Sequence, residues 1–134
     1  MIQLSDSEWR VMDAVWNCHP RPATVRDVHG ALEAGSGWAY STVKTMLARL
    51  VEKRALRVLR EGKASSFTPL LTRETARRGA VASLLDRAFD GTVGSMLQFV
   101  VGSRRLSARD REELRELLEK SPSQPLTRGA KRRR

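Results

Sequence analysis

The chain has 134 residues, 40% hydrophobic and 30% charged, with a formal charge of +10 and a pI near 11.1. That length holds one modest domain or two small lobes with thin cores, so self-association is expected, and the charge favours a polyanionic partner. A single cysteine, Cys18, excludes an internal disulfide framework and fits a reducing compartment, and the longest apolar run, around Phe99-Val100-Val101, is far too short to span a bilayer. Residues 121–134 hold five basic side chains and no acid, so half of the excess charge sits in that tail and total charge does not locate a site.

The N-terminus passes from Met1-Ile2-Gln3-Leu4 straight into Ser5-Asp6-Ser7-Glu8, without a basic leader and apolar core, which predicts a soluble cytoplasmic protein. Ser5 and Glu8 have the spacing of a capping box, with Leu4 and Trp9 at the positions of a hydrophobic staple. The first helix then buries Trp9, Met12, Val15 and Trp16 until Asn17-Cys18-His19-Pro20 and Pro22 end it. A second helix starts at Thr24, with Asp27 three residues on and Val25, Val28 and Leu32 inward, and Gly35-Ser36-Gly37 stops it.

From Ala39 to Arg54 a third helix is predicted. Val43, Met46, Leu47 and Leu50 form its buried stripe, while Ser41, Thr42, Lys44, Thr45, Ala48 and Arg49 lie on or beside the open face, which has no acid before Glu52. Hydroxyls and cations at the front of a helix can meet base edges and phosphates in a major groove, where carboxylates would be repelled. Three short helices in this order, the last with a donor-rich face, match a helix-turn-helix.

After Arg54 the period changes to two, with Leu56, Val58 and Phe67 inward on a two-stranded ribbon and Glu61-Gly62-Lys63-Ala64 at its turn. Taken alone this is an ordinary solvated hairpin; attached to the preceding helix it reads as a wing carrying Arg57, Arg60 and Lys63 toward a duplex. Three amphipathic helices follow. Val81, Leu84, Leu85, Ala88 and Phe89 lie on the fourth, Val93, Met96, Leu97, Val100 and Val101 on the fifth, and Leu114, Leu117 and Leu118 on the sixth, which Ser107 and Asp110 cap. About fifty residues cannot bury three such stripes against one another, so a two-fold partner is the economical way to cover them. The predicted fold is therefore mainly α: a winged helix-turn-helix at 1–71 with a small two-stranded wing, a three-helix dimerisation domain at 72–120, and a disordered basic tail at 121–134.

No catalytic constellation is present: there is no HExxH, no phosphate-binding Gly-rich loop and no Gly-x-Ser-x-Gly elbow. Cys18, His19 and His29 lack the spacing of a metal site, and neither a cofactor nor a small-molecule substrate is expected. The segments Ser5–Met12, Thr24–Val28, Trp38–Thr45, Arg49–Lys53 and Phe67–Leu70 resemble the penicillinase repressor family, and the likeness runs from about Leu4 to Lys120. It implies a homodimeric winged-helix repressor on a palindromic operator in double-stranded DNA. Carried across by position, it implies base contacts from Ser41, Thr42, Lys44 and Thr45, and phosphate contacts from Arg49, Arg60 and Lys63. The dimer would be held by Val81, Leu84, Leu85, Phe89, Val93, Met96, Leu97, Val100, Leu114, Leu117 and Leu118.

In resistance-type members a membrane-bound sensor metalloprotease transmits the signal, and the repressor is cut at an Asn-Phe bond in its fifth helix. The matching bond here is Gln98-Phe99, with glutamine in place of asparagine. Copper-responsive members carry a cysteine-rich C-terminal motif, and this chain ends in arginines. The competing expectation is a general nucleic-acid-binding protein driven by its tail, whose hallmark is that binding disappears with residues 121–134.

Overall fold

The computed structural model describes residues 2–103 and 105–120; the basic tail read at 121–134 lies outside them. Helix α1 (Asp6–Cys18) opens on the capping box expected of it: the Glu8 amide donates to Ser5 Oγ at 3.2 Å and the Ser5 amide to Glu8 Oε1 at 2.8 Å. Strand β1 (Ala23–Thr24) leads into α2 (Val25–Ser36), where Thr24 and Asp27 repeat the reciprocal pattern at 3.0 Å each way. The Thr24 amide chiefly, then its hydroxyl and Arg21, hold the Asp27 carboxyl below its ordinary value against its slight burial. Gly37 closes α2 at φ 68°, a left-handed conformation that costs glycine nothing.

Helix α3 (Tyr40–Glu52) follows, then β2 (Leu56–Glu61), β3 (Ala64–Pro69) and α4 (Arg73–Ala88). The ribbon of β2 and β3 is antiparallel from Leu56 opposite Pro69 to Glu61 opposite Ala64, and Gly62 supplies the positive φ its tight turn needs. The sheet has three strands rather than the two expected, in the order β1-β3-β2, with Ala23 opposite Phe67 and Thr24 opposite Ser66. Two residues carry no readable period; β1 is a strand only because its backbone reaches β3, more than forty residues away. As a result Thr24 both caps α2 and joins the root of the wing.

The core is drawn from α1, α2, α3 and the sheet: Val11, Met12, Val15, Val28, Val43, Leu47, Leu50, Leu56 and Phe67 are buried. Helix α1 differs in detail from its expected stripe. Trp9 is half-buried and Val11 fully buried, because α1 packs against α2, α3 and the sheet together and so buries a wider face than a single stripe. Trp16 Nε1 donates to the Leu71 carbonyl at 2.9 Å, and the Arg73 guanidinium lies 5.2 Å from the Trp16 ring centre while bonding Asn17 Oδ1. These contacts seat the first turn of α4, whose Ala76 and Gly79 are buried.

The chain forms two compact units, one ending at Leu84 and one beginning at Leu85, so α4 runs across the boundary. The second holds the end of α4, α5 (Val93–Gly102) and α6 (Ala108–Lys120). Asp90 and Gly91 take positive φ of 49° and 76° between α4 and α5, and Ser107 and Asp110 form the reciprocal cap expected before α6. Neither α5 nor α6 has a buried residue. Among the described residues no helix is long and apolar enough to cross a membrane.

Candidate nucleic-acid interface

Helix α3 has its inner stripe where periodicity put it, with Val43, Met46, Leu47 and Leu50 buried. Ser41, Thr42, Lys44, Thr45, Ala48 and Arg49 are all exposed. The Thr45 hydroxyl donates to the Ser41 carbonyl one turn back at 3.0 Å, which fixes its rotamer and leaves its lone pairs outward. The helix stands as a ridge with a groove on either side, and the two grooves differ in chemistry.

On the α1 side a groove is lined by Thr42, Thr45, Met46 and Arg49 of α3 together with Ser5, Ser7 and Glu8. It has hydroxyls, one cation and one carboxylate. That carboxylate is accounted for: Glu8 is buried, and Lys53, the residue that caps α3, reaches its Oε1 at 2.7 Å and the Gln3 carbonyl at 2.9 Å. Burial alone would raise the Glu8 carboxyl, but the Lys53 ammonium and the Ser5 amide and hydroxyl outweigh it and hold the group below the ordinary value. The rear of α3 is thereby tied to the start of α1.

On the wing side a cleft of about 580 Å³ is lined by Arg26, Tyr40, Lys44, Arg60, Lys63 and Ser65 over a floor that includes Val51, Val58 and Phe67. The structure thus separates the expected contact residues. Thr42, Thr45 and Arg49 share one groove; Lys44, Arg60 and Lys63 share the other; Ser41 lines neither. Arg26 and Tyr40 escaped sequence reading. Arg26 sits between the inward residues Val25 and Val28 with no motif to mark it, and only the pairing of β1 with β3 brings the start of α2 to the wing. Tyr40 is exposed, and its ring meets that of His29 edge-on at 5.7 Å, while His29 Nε2 lies 3.0 Å from the Trp38 carbonyl.

Of the expected dimer residues, Val81, Leu84, Val93, Val100, Leu117 and Leu118 are exposed in the single chain, and Leu85, Phe89, Met96, Leu97 and Leu114 are partly covered. Gln98 is exposed within α5, and Phe99 is 72% exposed, with its ring edge-on to Phe89 at 5.8 Å.

Several known proteins are similar to this chain. The penicillinase repressor of Bacillus licheniformis is 33% identical over 117 residues, covering 87% of this chain and 90% of that protein. The transcriptional regulator BlaI of Mycobacterium tuberculosis is 33% identical over 120 residues, covering 88% and 84%. Among solved structures, the B. licheniformis BlaI monomeric form in complex with the blaP half-operator is 34% identical with a TM-score of 0.47, covering 55% of this chain and 88% of that one. The family model for the penicillinase repressor matches residues 4–120, and this chain belongs to the penicillinase repressor family.

Proposed function

We propose that the protein is a sequence-specific DNA-binding transcriptional repressor, acting as a cytoplasmic homodimer on a palindromic operator. The observation that carries this reading is the exposed face of α3, a row of hydroxyls and cations free of acids, beside the Arg60 and Lys63 cations of the wing. Its membership of a family of repressors rather than enzymes, and the half-operator complex of a relative, support it. Ser41, Thr42, Lys44 and Thr45 would read base edges, and Arg49, Arg60 and Lys63 would bind phosphates. The uncovered apolar faces of α4, α5 and α6 would join two subunits, which puts half-sites about one helical turn, roughly 10 to 10.5 bp, or a multiple apart. No cofactor enters this mechanism.

Base-reading and phosphate-binding residues are separable by experiment. Thr45→Ala and Lys44→Ala should relax sequence preference, at about 1–3 kcal/mol for each good base pairing removed, whereas Arg60→Ala and Lys63→Ala should weaken all duplexes alike and flatten the dependence on salt. Binding to an operator selected from random duplexes, measured against scrambled DNA at several salt concentrations, checks this. Equal weakening on both DNAs from both pairs of variants would defeat the assignment.

The same proposal includes release by cleavage. Gln98 and Phe99 are exposed on α5, and a cut there would sever the helix from its own C-terminal half. A membrane-bound sensor metalloprotease is the expected agent. Mass spectrometry of the protein from cells in which its target genes are switched on should show a fragment ending at Gln98; intact chain under those conditions would rule this route out.

A further inference from the structure

We infer that the cleft between α3 and the wing seats one sugar-phosphate strand of the duplex, with Arg26 and Tyr40 as its unassigned gripping residues. The inference rests on the DNA-binding reading above and adds to it an asymmetry between the two strands. A helix with its side chains is about 10–12 Å across and the major groove about 12 Å wide, so a helix inserted there brings one backbone against each of its flanks. What lines those flanks then decides how each strand is held.

On the α1 flank the lining has one cation, Arg49, and the Glu8 carboxylate. On the wing flank four cations from three elements converge, Arg26 from α2, Lys44 from α3, and Arg60 and Lys63 from the wing, and no carboxylate lines that cleft. Arg26 is exposed, and the adjacent Asp27 is already engaged by Arg21 and the Thr24 amide, so it does not neutralise Arg26. A guanidinium offers a planar fork suited to phosphate oxygens. The Tyr40 ring is braced by His29, leaving a phenol as a neutral donor beside the cations. Val51 and Val58, both half-buried in the floor, give deoxyribose an apolar surface to lie on. Most of the electrostatic grip therefore falls on the wing-side strand.

The test uses the full chain and operator duplexes in which single phosphates are replaced by neutral methylphosphonates along each strand. On the full operator Arg26→Ala should reduce the slope of log affinity against log salt by about 2, one phosphate neutralised by one cation in each of the two subunits. Tyr40→Phe should weaken binding roughly tenfold, as removal of one neutral hydrogen bond in each subunit does, without changing the slope. The Arg26→Ala effect should vanish on a duplex with one particular methylphosphonate in each half-site, and neutral substitutions on the wing-side strand should cost more than those on the other.

An unchanged slope in Arg26→Ala, with no methylphosphonate that masks it, overturns the seat. If that result accompanies relaxed base preference in Thr45→Ala, the DNA-binding reading stands and only the seat falls. If Thr45→Ala is also silent and operator competes no better than scrambled DNA, the DNA-binding reading falls with it. Saturable binding of 2-naphthalenesulfonate that is abolished in Arg26→Ala, with the salt slope unchanged, would assign the cleft to a small organic anion and likewise overturn the seat.

Discussion

Replacing Leu117 and Leu118 with glutamate should leave a single subunit at micromolar concentration and lower operator affinity by about 10²–10⁴-fold, the gain that linking two binding modules provides. The two leucines are 65% and 68% exposed in the single chain, so charge there does not disturb the subunit's own core. Helix α5 has 10 residues and α6 has 13, close to the ~12–15 below which an isolated helix is marginal in water, and neither buries a residue within the chain. Their stability has to come from packing, and the surface left for it is the leucine and valine face. Once the two halves are separate, each α3 would bind its half-site without help from the other. Analytical ultracentrifugation gives the mass and fluorescence anisotropy the affinity. A variant with the mass and affinity of the parent would show that α6 does not join the subunits, and a parent protein that sediments as one subunit would remove the dimer altogether.

Lys53→Met should destabilise the winged domain by about 2 kcal/mol, less than the ~3–5 kcal/mol of a fully buried pair because the Lys53 side chain is 40% exposed. The cost comes from Glu8, whose side chain is only 7% exposed and would be left as a buried carboxylate without its cation. Glu8 has its pKa lowered on folding, from an ordinary value of 4.5. Its contribution is therefore fully present above the unfolded value and is lost as pH falls through the folded one. Glu8→Gln should accordingly flatten the acid side of the stability profile, and Lys53→Met should steepen the cost at neutral pH and shrink it in acid, where Glu8 protonates. Urea unfolding between pH 3 and 7 reads both effects. A Lys53→Met protein as stable as the parent at pH 7 would show that the pair carries no weight. Because Lys53 is the residue that closes α3, the same substitution should also weaken operator binding by loosening the rear of that helix.

Helix starts were legible at Ser5, Thr24 and Ser107 because each cap joins residues three apart, a distance set by the helix itself. The buried stripe of α3 was legible for the same reason, and with it the open face of Ser41, Thr42, Lys44, Thr45 and Arg49. The wing was legible as far as a period of two extends, which is why its ribbon was found and its third strand was not. Lys53 and Glu8 are 45 residues apart, so the three-residue spacing that marked Glu8 as a capping residue did not reveal its cation. Trp16 read as core, yet its bond to the Leu71 carbonyl spans 55 residues.

The amino-acid order by itself therefore determined the helices, the ribbon and the face α3 turns outward, since all of these rest on short-range spacing. Tertiary structure alone decided which side chains share a groove: it divided Thr42, Thr45 and Arg49 from Lys44, Arg60 and Lys63, and brought Arg26 and Tyr40 to the second group. The reason is physical. A capping bond or an apolar stripe is closed by a few residues of chain, whereas a cleft is closed by packing between α2, α3 and the sheet, and its members share no spacing that periodicity could reveal.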